Sequence, residues 1–170
     1  MGSLQWSTSH AVFIEEVDDE HQEIFRALAD LEGVLSHDSH GSDTLRVAER
    51  LTALALEHFA HEERLMRAAR YGSIGWHKRS HDAAARAVKR FVVRIEQGEA
   101  GAGTELVEYL KRWLTDHAQV ADKMMGAFLR NQRRCLGKLI FRAGTKPMDA
   151  CAWTNAKGDS FDPRTGNSGS

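Results

Sequence analysis

The sequence predicts an all-α protein, an up-down-up-down four-helix bundle followed by a C-terminal extension. Three observations carry that expectation. The only two prolines, the residue that breaks helices, fall after position 146, so the stretch before them is free to be helical. Apolar residues recur at spacings of three and four in four separate segments, the period of a helix with one buried face. Strand-type alternation of apolar and polar residues is absent, and short polar loops separate the four segments.

The first helix is expected from about Asp19 to Leu35, with Ile24, Leu28, Leu31 and Leu35 on one face, before the polar loop "SHDSHGSD". The second runs from Thr44 to Arg70, with Ser42 or Asp43 as N-cap and Gly72 as its C-terminal stop. The third spans about Trp76 to Gln97 and stops at "GEAGAG"; the fourth starts after Thr104 and continues to about Arg133. Residues 1–133 would form the bundle. Residues 134–170 would form the extension, basic at first and then polar and disordered in "GDSFDPRTGNSGS".

Composition narrows the class. With 170 residues there is room for one domain with a real core. A balance of 23 basic and 24 acidic residues argues against nucleic acid or an anionic membrane as the main partner. No apolar run is long enough to span a bilayer, and the N-terminus lacks the pattern of a secretory leader. Two cysteines do not make a disulfide framework, so the expected location is the cytoplasm. The basic segment 130–146 is a candidate docking site for a protein partner, although cations at a helix C-terminus also suit its dipole. The oddity is nine histidines.

Helical wheels place five of them inward. Taking His58 as zero, Val47, Leu51, Leu54, Leu65 and Ala69 fall within about 40° of it. Glu62 lies about 40° away, still on the apolar stripe, whereas His61 sits at its edge and Glu63 points outward. In the third helix His77 and His81 stand one turn apart on the face of Ala84, Val88, Phe91 and Ile95. His117 shares a face with Leu110, Trp113, Ala121 and Met124, and His21 precedes Ile24 and Leu28 on the core side. His10, His37 and His40 read as loop residues. Burying five imidazoles and a carboxylate uncompensated would consume a domain's stability of roughly 5–15 kcal/mol. Metal ions would compensate them, and imidazole with carboxylate suits iron, zinc, manganese or copper.

The chain resembles the hemerythrin family, in its bacterial form. The resemblance rests on Trp6, "DDEHQEIF" around His21, "HFAHEERLM" around His58, "HKRSH" from His77 to His81 and "LKRWLTDHAQVAD" from Leu110 to Asp122, and covers roughly residues 6–130. It implies two irons with a bridging oxo or hydroxo group, held by His21, His58, Glu62, His77, His81, His117 and Asp122. His77, His81 and His117 would take one iron; His21 and His58 would take the other and leave a position open. Glu62 and Asp122 would bridge. Asp122 rests on the family pattern alone, since it lies about 140° round from His117 on an ideal helix.

The implied function is reversible O2 binding for storage, delivery or sensing, without enzymatic turnover. A pocket of Ile24, Phe59, Trp113, Leu114 and Ala118 would exclude water around the ligand. The chain lacks the Glu-x-x-His motifs of carboxylate-rich di-iron oxidases. The alternatives are a di-iron oxidase or peroxidase, a nitric-oxide-handling enzyme, or an iron or redox sensor. Ala118 stands where the family has a larger residue, and Gly72 where it commonly has proline.

Overall fold

A computed structural model describes residues 4–37 and 42–141, with side chains through residue 135. The secondary structure of the described residues is all helical: a 3₁₀ turn Thr8–His10, α1 Glu15–His37, α2 Ser42–Ala68, α3 Ile74–Glu96, α4 Ala102–His117, a five-residue π turn Ala118–Asp122, and α5 Lys123–Phe141. The last three form one continuous rod. Helix α1 packs on α2, α2 on α3, α3 on α4 and α4 back on α1, which closes the four-helix bundle. No described helix is long and apolar enough to cross a membrane.

Several ends differ from expectation. Helix α1 begins four residues before Asp19, because Glu15, Glu16 and Asp18 supply negative charge where the helix dipole favours it. Asp18 also reaches back to accept the Val12 N–H at 2.8 Å, tying the preceding arm to the helix. Helix α2 ends at Ala68, and the left-handed residue that stops it is Arg70 rather than Gly72. Arg70 adopts a left-handed φ of 54°, and Tyr71 N–H bonds Met66 O at 2.9 Å, the pairing of a Schellman motif. Helix α4 starts at Ala102, two residues before Thr104, because Gly101 accepts a φ of 82° that a β-branched residue would resist. Helix α5 runs to Phe141, beyond Arg133.

Two apolar cores sandwich the bundle's middle. Leu28, Leu31, Leu51, Leu106 and Leu110 fill one, toward the α1–α2 and α3–α4 connections. Val12, Ile14, Met66, Tyr71 and Met125 fill the other. The N-terminal arm lies across α5 so closely that a Cβ on Gly126 would sit 2.7 Å from Val12 O. Arg130 closes the arm down by donating to the same carbonyl. His10, expected in an open loop, is buried in a 3₁₀ turn, where its Nδ1 accepts the Ser7 N–H at 3.1 Å and its ring lies 4.9 Å from Phe25. His37 closes α1 at the surface, and His40 lies outside the described residues.

The basic segment proposed as a docking site is partly engaged by the chain itself. Arg130 holds the arm and Arg133 reaches Glu16 at 3.4 Å. Residues 142–146 of that segment, and residues 142–170 of the extension expected over 134–170, lie outside the described residues.

Candidate metal centre

Between the two cores, all four rods of the bundle turn polar side chains inward. Helix α1 contributes His21, α2 contributes His58 and Glu62, α3 contributes His77 and His81, and the fourth rod contributes His117 and Asp122. All seven are buried. Pairs one turn apart on α2 and α3 share a face because i and i+4 do so on any α-helix.

His117 and Asp122 need a different explanation. Five residues on an α-helix overshoot a full turn by about 140°, which would turn Asp122 away from the core. The segment Ala118–Asp122 is instead π-helical, and its wider turn closes every fifth residue. Asp122 Oδ1 therefore comes to 3.1 Å from His117 Nε2. The offset of five that defeats the wheel is one π turn.

The donor atoms fall into two groups. In the first, the Nε2 atoms of His77, His81 and His117 form a near-equilateral triangle with sides of 3.0–3.1 Å. Glu62 Oε2 lies 3.2 Å from His77 and His81, and Asp122 Oδ1 lies 3.2 Å from His77. In the second group, Asp122 Oδ2 is 3.3 Å from His21 Nε2, and Glu62 Oε1 is 3.8 Å from His58 Nε2. Each carboxylate thus directs one oxygen to each group.

This arrangement fits metal and little else. Three imidazole nitrogens aimed at one point cannot all hydrogen-bond one another, since each Nε2 either donates or accepts and cannot do both. Glu62 Oε1 and Oε2 and Asp122 Oδ1 are buried without a hydrogen-bond partner, an expensive condition for a carboxylate. Neighbouring donors around an octahedral ion with bonds of about 2.1 Å are about 3.0 Å apart, against about 3.4 Å for a tetrahedral one. The triangle matches the octahedral spacing. Glu62, His77, His81, His117 and Asp122 could hold one ion, and His21, His58, Glu62 and Asp122 a second.

Electrostatics within the cluster are steep. Burial pushes the Glu62 carboxyl up, as does the Asp122 charge, but His58, His77 and His81 outweigh both and hold it at about 2. Burial also raises Asp122, but the His117, His21 and His77 imidazoles close to its oxygens draw it well below the usual carboxylate range. Burial lowers His77, yet Asp122 and Glu62 carry it to about 9. His81 falls because burial dominates there.

Residues behind the donors complete the site. His58 Nδ1–H donates to Glu20 Oε2 at 2.9 Å, and His61 Nδ1 pairs with the other oxygen of the same carboxylate at 2.6 Å. Ser80 Oγ lies 3.0 Å from His117 Nδ1. Glu63, expected in water, is buried, paired with Arg67 at 2.6 Å and Lys78 at 3.2 Å, with Oε1 3.8 Å from His81 Nδ1. The wheel misplaced Glu63 because α2 touches both α1 and α3. Ala48, Ala55, Phe59 and Met66 are buried as well, so the true stripe is centred about 60° toward Phe59 from His58. Glu20, Glu63 and Ser80 carry no periodic signal of their own; only their adjacency to His21, Glu62 and His81 in the sequence points to them.

Of the five residues expected to wall the centre, two stack on donors. Phe59 lies on His81 at 4.3 Å and 10°, and Trp113 lies on His117 at 4.3 Å and 16°. Ile24, Leu114 and Ala118 are buried. Trp113 and His117 also line a recess of about 160 Å³ with Trp76 and Val120. On the other side, a recess of about 200 Å³ leads to His58 between Glu20, Glu23, Glu57 and Leu54.

Comparison with known proteins converges on one family. The profile of the hemerythrin HHE cation binding domain matches residues 12–129. A bacteriohemerythrin of Pseudomonas aeruginosa is 33% identical over 122 residues, 72% of this chain and 78% of that protein. A hemerythrin of Sipunculus nudus is 33% identical over 117 residues, 69% of this chain and 86% of that one. A crystal structure of wild-type hemerythrin superposes with a TM-score of 0.70 at 22% identity, covering 75% of this chain and 98% of the other, a likeness of fold.

Proposed function

The chain belongs to the hemerythrin family, and on that premise we propose that it binds O2 reversibly at a non-haem di-iron centre, as a store, carrier or sensor rather than an enzyme. The observation that carries this reading is the split of each buried carboxylate between two groups of imidazole nitrogens. That split suits two ions bridged by Glu62 and Asp122.

In this reading His77, His81 and His117 hold one iron, and His21 and His58 hold the other. Iron held there in the ferrous state would supply the electrons that reversible O2 binding requires. The residues of the chain do the rest. Five residues could donate on one side and four on the other, so an ion on the His21–His58 side would have more room for an external ligand. Neutral imidazoles outnumber carboxylates five to two in the proposed donor set, which favours reversible binding over oxidation. Phe59 and Trp113 cover His81 and His117 with apolar ring faces, and Ile24 and Leu114 are buried in the adjoining core; excluding water there would protect bound ferrous iron from irreversible oxidation.

The test is spectroscopic. Protein loaded with iron under nitrogen should gain visible charge-transfer absorption in air and lose it on return to nitrogen, with two irons per chain by metal analysis. Sustained turnover of peroxide or nitric oxide without a reversible spectrum would favour an enzyme instead.

A further inference from the structure

Resting on that di-iron reading, we infer that Glu20 and His61 form a positioning pair that fixes the His58 ring and so sets how firmly the His21–His58 side holds its ion.

A histidine that binds metal through Nε2 is held in orientation and tautomer by whatever accepts its Nδ1–H. The five imidazoles differ sharply in this respect. His58 has a carboxylate at 2.9 Å and His117 a hydroxyl at 3.0 Å. His81 has a carboxylate oxygen only at 3.8 Å, and Nδ1 of His21 and His77 have no hydrogen-bond partner. The one close charged partner therefore backs the side with fewer protein donors. That side is also the looser: His58 Nε2 stands 3.8 Å from Glu62 Oε1, whereas the corresponding contacts elsewhere in the cluster are 3.1–3.3 Å.

Glu20 alone would be a poor anchor. Its side chain is 33% exposed beside a recess open to water, where a flexible carboxylate would otherwise spread over several rotamers. His61 removes that freedom. From one turn along α2, its Nδ1 holds the second oxygen at 2.6 Å, and its ring is itself only 22% exposed. A carboxylate gripped by two imidazoles on one helix can present Oε2 to His58 in a single orientation. His61, which touches no donor atom of the centre, acts through Glu20.

Titration of apo protein with Co(II), followed by its d–d absorption, tests the pair independently of O2. Glu20→Ala should weaken the second equivalent by 10–100-fold and the first by less than about threefold. Glu20→Gln, which keeps one acceptor and is the safer variant for folding, should fall between the two. His61→Leu should weaken the second equivalent by about three- to tenfold, His61→Asn should restore it by donating an amide N–H, and His61→Leu should add nothing in the Glu20→Ala background. Wild-type affinity for both ions in Glu20→Ala would overturn the inference, as would equal weakening of the two, or a His61→Leu penalty that persists without Glu20. A wild-type chain that takes up fewer than two ions would overturn the di-iron reading itself, and this inference with it.

Discussion

The two ends of the cluster are built differently from similar parts. At the His77–His81–His117 end, three imidazoles meet in a triangle, two are covered by stacked aromatic rings, and the adjoining recess is lined chiefly by Trp76, Trp113, Val120 and Ala121. At the His21–His58 end there are two imidazoles, and the recess that reaches His58 is lined by three glutamates. One end is saturated with donors and walled by apolar rings; the other is short of donors and approached through acid. Under the proposed di-iron reading, one pair of shared carboxylates would serve two unlike ions, with the difference set by what stands behind each histidine.

The sharpest way to break the comparison is to remove what both ends share. Glu62→Ala should lose at least one iron and Asp122→Ala should lower iron toward none; two irons per chain in either variant would refute the shared bridges. Next in size, His21→Leu should cost only the ion at its own end and leave about one iron per chain. Equal loss at both ends would mean that the ends are not independent. Phe59 is 5% exposed, so Phe59→Ala should lower stability by about 3–5 kcal/mol in chemical denaturation and hasten oxidation of the ferrous protein in air.

Acid should act through the donors themselves. His77 holds its proton up to about 9 between Asp122 and Glu62, so metal uptake at neutral pH must expel that proton. Affinity should accordingly rise from pH 6 to 9, and a flat profile would contradict the raised value. The smallest effect is expected for Ser80→Ala, which takes a neutral partner from His117. With three imidazoles at that end, Co(II) affinity should change by less than about tenfold.

Much of this was legible in the order of residues. Periodicity located four helices and turned His21, His58, Glu62, His77, His81 and His117 inward, and all six are buried. It worked because an α-helix converts spacing into direction by a fixed local rotation. Where that rotation changes, the reading fails. Asp122 was out of reach of the wheel because residues 118–122 take the π form, and only the resemblance to a family supplied it.

Other features were settled between helices rather than within them. Glu63 is buried because α2 rests on two neighbours, which rotates its buried face toward Phe59. His10 is buried because the N-terminal arm folds back against α1 and α5. The Glu20 carboxylate meets His58 and His61 from 38 and 41 residues away, a distance across which no periodic pattern carries information. Which residues face inward, and what chemistry they offer, follows from the order of amino acids alone, because both depend on local geometry and side-chain type. How the donors divide into two groups, and what backs each of them, is fixed only in the folded molecule, because it depends on the rotation and register of one helix against the next.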